Sequence, residues 1–204
     1  MTRSASVPGT VTDPVGATDP TRPAVWRRVT SVTVRRWPTW LALAVAAISL
    51  GDLGDGTELA FVLVLAATGY LFVAVVDRVP ATWPVLLGLV AMVVVLRLLD
   101  LDPVPALTVV AAALIAVGMI GGRLRGPGLY GLQTPAALGF IALGLAALLV
   151  PAAIGHYVVA AGLLGHAAWD AVHWRANKIV ARSFSEWCGV WDLILGLGIL
   201  ILVP

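Results

Sequence analysis

The chain has 204 residues, of which 60% are hydrophobic and only 12% are charged, and its mean hydropathy is +0.97. Soluble domains carry about 25% charged residues, so this chain has too few polar residues to form a water-exposed surface. We therefore expect it to be embedded in lipid. The net charge of +2 is too small to indicate nucleic-acid binding. The single cysteine, Cys188, excludes an intrachain disulfide and argues against thiolate metal clusters.

The first 37 residues differ from the rest of the chain. Residues 1–24 are rich in Ser, Thr, Pro, Gly and Asp and have no apolar periodicity, which predicts a disordered cytoplasmic tail. Residues 25–37 carry arginines between valines and tryptophans, which indicates a basic juxtamembrane segment at an anionic inner leaflet. We expect residues 38–204 to form the transmembrane domain.

Apolar runs of spanning length follow one another through that domain. A membrane-spanning helix needs about 20 residues, and short connections between the runs favour one compact all-α bundle of about seven transmembrane helices. The predicted spans are Pro38–Leu53, Glu58–Val76, Trp83–Leu99, Pro103–Gly121, Pro135–Ile154, His156–Trp174 and Trp187–Val203.

The basic residues predict how the bundle is oriented. Lys and Arg collect on the cytoplasmic side of membrane proteins, and with seven spans they fall on every second connection. The sequence therefore predicts a multi-pass protein of the cell inner (plasma) membrane, with its N-terminus cytoplasmic and its C-terminus outside. The basic residues on the inner connections are Arg78, Arg123, Arg125, Arg175, Lys178 and Arg182.

Ionisable side chains concentrate in the last two spans. His166, Asp170 and His173 are spaced by four and three residues, so they share one helical face. Asp192 lies in the next, antiparallel span at a similar depth and is expected to face Asp170. Because charged groups inside a span are costly, these residues predict a cavity in which a desolvated carboxyl acts as a general acid and a histidine holds or relays its proton. Asp77, on the same side of the membrane, is a possible third acid.

Four tryptophans accompany the acids, and their ring faces could stabilise a cation in the cavity. Two structural interpretations compete with this one. Tryptophans are also common at membrane interfaces, and Asp170 could pair with a neighbouring histidine only to hold the bundle together. The four are Trp169, Trp174, Trp187 and Trp191.

A metal site at His166, Asp170 and His173, completed by Asp192 or Glu186, is an alternative that the residue types permit. The spacing His-x3-Asp-x2-His is not a specific metal signature, and the remaining histidine is expected on the opposite side. We therefore expect no metal and no cofactor.

The organisation resembles the integral membrane terpene cyclases of meroterpenoid and indole-terpenoid pathways. The resemblance rests on a small chain of about seven spans, acidic residues near helix ends, and a late-span acid among tryptophans, here Trp191–Asp192. It implies that a carboxyl protonates an olefin or epoxide of a lipophilic prenylated substrate, which then cyclises without metal or cofactor. Asp192 would be the late-span acid, with Asp170 or Asp77 as its partner.

Two further classes of function stay open at this stage. Asp–His pairs in spans also serve as proton relays, which favours a proton-coupled small-molecule transporter, although no internal repeat of the kind found in many carriers is visible. A non-catalytic membrane scaffold is the third class. The sequence names no protein partner, substrate or oligomeric state.

Overall fold

The computed structural model describes residues 33–203, and within that range the fold is entirely helical, without a strand. The chain divides into a short unit, Met1–Arg36, and a main unit, Trp37–Pro204. The predicted tail and most of the predicted juxtamembrane segment therefore lie outside the described residues.

Seven α-helices make up the main unit, as far as it is described. Short 3-10 turns precede α2, α3 and α5. The α-helices are α1 (Trp37–Gly51), α2 (Ala60–Val76), α3 (Thr82–Leu98), α4 (Pro103–Ile120), α5 (Leu129–Leu149), α6 (Ala152–Ala176) and α7 (Arg182–Leu202).

Five helical segments are long and apolar enough to cross a membrane, so the expected all-α membrane protein is confirmed at this level. Helix α1, with 15 residues, is shorter than these. Helix α6 has 25 residues but also three histidines and an aspartate, which lower its hydropathy. The five are Thr57–Val76, Val79–Leu98, Pro103–Ile120, Leu129–Leu149 and Arg182–Leu202.

Three helix starts differ from the sequence prediction by four residues or more. Helix α5 ends at Leu149 and not at Ile154, and helix α6 begins at Ala152, four residues before the predicted His156.

Helix α5 begins at Leu129, so Pro135 lies inside it and does not start it. Helix α7 begins at Arg182 and not at Trp187, which shortens the predicted basic loop. For α5 and α7 a residue that often marks a helix start or an interface was taken for the boundary, whereas the residues before it are already helical.

Helix α2 is the centre of the bundle. Inside Thr57–Val76, 78% of the most apolar window is buried, against 22–39% for the other four spanning segments. Helix α2 packs against α3, α4, α5 and α6. Helices α6 and α7 form the most extensive contact, and α1 packs against α7. A side chain that faces inward from α2, α6 or α7 is therefore shielded by protein on all sides.

Local hydrogen bonds define several helix ends. The Asp102 carboxylate accepts from the Val104 N–H at 3.0 Å and caps α4. Helix α6 ends at Asn177, which adopts a left-handed conformation with φ of 50°. Before α2, the hydroxyl and N–H of Thr57 donate to Asp55 and lower the pKa of that carboxyl.

The tight crossing of α5 and α6 gives a first prediction. A Cβ at Gly155 would lie 2.6 Å from the backbone oxygen of Ala147, whereas a Cβ at Gly139 would meet nothing within 4 Å. We expect Gly155→Ala to lower the free energy of unfolding in detergent by about 1–3 kcal/mol, because backbone must shift to make room. Gly139→Ala is the control and should leave stability equal or higher, since alanine favours helix. Equal loss in both variants would contradict the close approach.

Candidate functional site

Three buried ionisable side chains from α6 and α7 meet at one point. Nδ1 of His166 lies 2.7 Å from Oδ2 of Asp192 and 3.1 Å from Oδ2 of Asp170. His166 and Asp170 are 0% exposed and Asp192 is 1% exposed. Because carboxylate oxygens accept hydrogen bonds, the imidazole carries a proton on Nδ1 and donates it to both acids. The structure thus brings together the two carboxyls that the sequence placed at similar depth.

The depth of this cluster follows from helix geometry. His166 lies about ten residues before the end of α6 and Asp192 about ten residues after the start of α7, or roughly 15 Å at 1.5 Å per residue. The hydrocarbon core of a bilayer is about 30 Å thick. In helices that span a bilayer, this depth lies close to the middle of the hydrocarbon.

Helix α2 contributes a fourth member, Tyr70, whose hydroxyl donates to Oδ1 of Asp170. Both oxygens of Asp170 are therefore hydrogen-bonded, one to Tyr70 and one to His166. Asp192 has only the bond to His166, and its Oδ1 is buried without a hydrogen-bond partner among the described residues, as is Nε2 of His166. The two carboxyls are consequently not equivalent, although both are buried.

His173 lies beside this network without joining its hydrogen bonds. Its Nδ1 donates to the Trp169 carbonyl at 3.0 Å, and its Nε2 lies 2.9 Å from the side-chain nitrogen of Gln133. Because that amide nitrogen only donates, the His173 Nε2 accepts and the ring is neutral. The ring packs edge-on against Tyr70 at 4.7 Å between centroids, so His173 holds the tyrosine in place.

A close helix crossing allows α7 to reach the cluster. A Cβ at Gly189 would lie 3.1 Å from Cβ of Asp170 and 3.7 Å from the Ala167 carbonyl. Glycine at this position allows the close approach of the two helices, since a Cβ here would require Asp170 to shift by a few tenths of an ångström. The i, i+4 spacing then stacks His166 over Asp170 on the face turned toward α7.

A row of aromatic rings from α3 and α7 reaches the cluster at Tyr70. Trp187 and Trp191 stack with ring centroids 5.0 Å apart, and Trp83 lies 5.9 Å from Trp187. Phe184 connects this row to the cluster, because its ring centroid is 5.6 Å from that of Tyr70. Two of the predicted tryptophans thus belong to this row, together with aromatic residues that were not predicted.

The other two predicted tryptophans lie nearer the end of α6. Trp169 packs against the His173 ring at 4.7 Å between centroids. Trp174 lies under the guanidinium of Arg182, which is 4.1 Å from its ring centroid. This cation–π pair connects the last turn of α6 to the first turn of α7.

Asp77, the possible third acid, lies apart from the cluster. It ends α2 and forms an ion pair with Arg123, and it also accepts from the Tyr130 hydroxyl. Its side chain is 38% exposed. These contacts join the α2–α3 connection to the α4–α5 connection, which is a structural role at the rim of the bundle.

The three central residues also offer a metal-ligand set. His166, Asp170 and Asp192 each present one donor atom, and these atoms lie within 4.8 Å of one another. One imidazole nitrogen and two carboxylate oxygens suit a divalent cation. Such a cation would take the place of the protons that the observed hydrogen bonds require.

Sequence reasoning missed Tyr70 and Gln133. Each is fully or almost fully buried, with 2% and 1% of its surface exposed, and each binds a residue of the predicted face. The signal that could have found them is an isolated polar side chain within an apolar span, since such residues turn toward the protein interior.

Comparison with known proteins supplies no relative: no family model, curated protein or solved structure matches the chain.

The contact between Tyr70 and Asp170 gives the second prediction. We expect Tyr70→Phe to lower the free energy of unfolding by about 1–3 kcal/mol, because a buried carboxylate oxygen loses its donor. The matched control is Tyr157→Phe on α6, whose side chain is 53% exposed and whose loss should change stability by less than about 0.5 kcal/mol. Chemical unfolding in micelles measures both. Equal effects would contradict the role of Tyr70 in holding Asp170.

Proposed function

We propose that this protein is an integral membrane enzyme of the terpene-cyclase type. Asp192 protonates an olefin or epoxide of a lipophilic prenylated substrate, and the resulting carbocation cyclises without metal or cofactor. The observation that carries the proposal is the unequal pair of carboxyls at His166: Asp170 has two hydrogen-bond donors, whereas Asp192 has one and a buried, unpartnered Oδ1.

Charge balance supports an acid at this point. Two carboxylates and a neutral imidazole would place two negative charges inside the bundle, which is unfavourable in a medium of low dielectric constant. Two protons neutralise the set. One makes His166 a cation, and the other resides on a carboxyl. Asp170 is stabilised as the anion by its two donors, so the second proton belongs on Oδ1 of Asp192.

The reaction balances without an external reagent. The O–H bond at Asp192 breaks while the π electrons of the olefin form a C–H bond, or while an O–H bond forms at the epoxide oxygen and an epoxide C–O bond breaks, and a carbocation remains on the substrate. Attack by a second double bond closes a ring and moves the cation. Loss of a proton from a neighbouring carbon to the Asp192 carboxylate restores the acid, so the net change is an isomerisation.

Aromatic rings and the anion suit such an intermediate. The ring of Tyr70 lies against His166, and Phe184 connects it to the stacked Trp187 and Trp191. Ring faces attract cations, most strongly where water is excluded. The Asp170 carboxylate adds a fixed negative charge. Cation stabilisation by a preorganised, dry site is the main requirement for cyclising a polyene.

We further propose that all seven helices span the inner (plasma) membrane, with the N-terminus cytoplasmic and the C-terminus outside. Connections between α2 and α3, α4 and α5, and α6 and α7 carry Lys or Arg, and the alternate connections carry none. In this topology the substrate reaches the enzyme from the lipid phase, and membrane lipid is its immediate surrounding.

Proton-coupled transport of a small molecule is the second candidate. It is favoured by the hydrogen-bonded chain Tyr70–Asp170–His166–Asp192, which connects three helices and could relay protons. The two candidates differ in sealed vesicles, where a transporter moves protons or solute and a cyclase changes its substrate chemically.

The third prediction tests the acid. Purified protein in lipid nanodiscs should convert a prenylated aromatic compound with a terminal olefin or epoxide into a cyclic product, detected by chromatography and mass spectrometry. An olefin substrate turned over in deuterium oxide should gain one deuterium in each turnover before which the Asp192 proton has exchanged with solvent. Asp192→Asn should lower the rate by at least about 100-fold, the scale of lost general-acid catalysis. Asp100→Asn in the α3–α4 connection is the control and should retain full turnover.

Two results would contradict the proposal. One is unchanged turnover by a folded Asp192→Asn variant. The other is a stoichiometric divalent metal in active protein, since a cation at His166 would replace the catalytic protons.

A further inference from the structure

A groove between α6 and α7 lies directly behind the acidic cluster. It is a cavity of about 450 Å³ that is open to the outer surface of the bundle, where Leu193 is 46% exposed. Volumes of about 300–1,000 Å³ are typical of ligand sites. We call it the α6–α7 groove; its principal lining residues are Ala171, Trp174, Arg175, Gly189, Val190 and Leu193.

The α6–α7 groove has the length of one membrane leaflet. Along α6 it extends from Arg175 to Leu164, a rise of roughly 16 Å. Half of the hydrocarbon core of a bilayer measures about 15 Å. Small residues form the middle of the groove, so a narrow, flexible chain fits alongside them.

One end of the α6–α7 groove is polar and carries positive charge. Arg175 lines this end, and the guanidinium of Arg182 lies on the ring of Trp174, another lining residue. Glu186 lines it as well and keeps its negative charge, although its carboxylate accepts from the Thr39 hydroxyl at 2.7 Å. Because the two guanidiniums outnumber this carboxylate, the end has a net positive charge.

The inner wall of the α6–α7 groove includes Gly189, which lies against Asp170 of the acidic cluster. No side chain lies between the two residues. An occupant of the groove would therefore be separated from Asp170 by backbone alone.

From these observations we propose that the α6–α7 groove binds a single prenyl chain whose anionic head pairs with Arg175. This inference rests on the proposed function and names the substrate class: an isoprenoid with a negatively charged head. The guanidinium holds the head at the polar end by charge-assisted hydrogen bonds. The prenyl chain lies along Ala171 and Gly189, which brings its double bonds beside the cluster.

Binding of geranylgeranyl phosphate and of geranylgeraniol to protein in zwitterionic nanodiscs tests the proposal, with native mass spectrometry as the readout. The phosphate should bind at least about tenfold more tightly than the alcohol. Arg175→Gln should remove that preference and leave alcohol binding unchanged. Arg125→Gln, which removes an arginine in the α4–α5 connection, is the control and should keep the preference.

A second variant tests the chain-binding part of the groove. Ala171→Trp should weaken both ligands by about tenfold or more, because the indole fills the space of the prenyl chain. Thermal unfolding must match the wild-type protein for this variant to count; if it does not, Ala171→Leu replaces it. Equal affinity for phosphate and alcohol, or unchanged binding in a folded Ala171 variant, would overturn the proposal. Equal competition by phosphatidylglycerol would overturn it too, since the groove would then hold ordinary lipid.

The two proposals can fail separately. If the predicted binding pattern is found but no cyclic product forms, the groove assignment stands and the proposed function falls. If Asp192→Asn abolishes turnover while Arg175→Gln leaves KM unchanged, the acid stands and the groove assignment falls.

Discussion

The fold and the proposed chemistry both depend on one proton, the one that His166 Nδ1 shares between Asp170 and Asp192. Without it, two buried carboxyls would face each other across α6 and α7 with no charge between them, and like charges at that distance repel strongly where water is absent. The same proton fixes the rotation of α7 against α6, because only one rotation places Asp192 in reach of the imidazole. The polar contact of His166 with Asp170 and Asp192 therefore sets how α6 and α7 face each other, and apolar side chains pack around it.

Helix α2 makes that contact asymmetric. It is the most buried helix, and its single polar ring at the cluster, Tyr70, donates to Asp170 but not to Asp192. His173 packs against the tyrosine ring and is itself held by a hydrogen bond to Gln133. One hydroxyl on a central helix thus gives two chemically identical side chains different hydrogen-bonding environments. Differences in environment are what separate acid from base in a pair of carboxyls.

The sequence predicted the shared face of α6 well, because an i, i+4 pair depends only on helix geometry. It placed Asp192 at a similar depth for the same reason, but the rotation of α7 depends on Gly189 and on packing between distant segments, which periodicity does not encode. Tyr70 was not predicted because its partner, Asp170, lies 100 residues away in the sequence. The starts of α5 and α7 were misplaced because Pro135 and Trp187 resemble boundary residues although the turns before them are helical.

The position of the α6–α7 groove gives the two carboxyls complementary tasks. Gly189 places an occupant of the groove near Asp170, the acid that has two hydrogen-bond donors. In the proposed reaction Asp170 is the fixed anion that stabilises the carbocation, and the attraction is large because the surroundings exclude water. Asp192, which we propose as the proton donor, lies one hydrogen bond further on, across His166, so the reacting double bond has to pass Gly189 and enter the cluster to meet it. If both acids were ionised, neither could donate the proton, and if both were protonated, neither could stabilise the cation. The unequal hydrogen bonding of the pair is therefore the feature on which the proposed cofactor-free cyclisation depends.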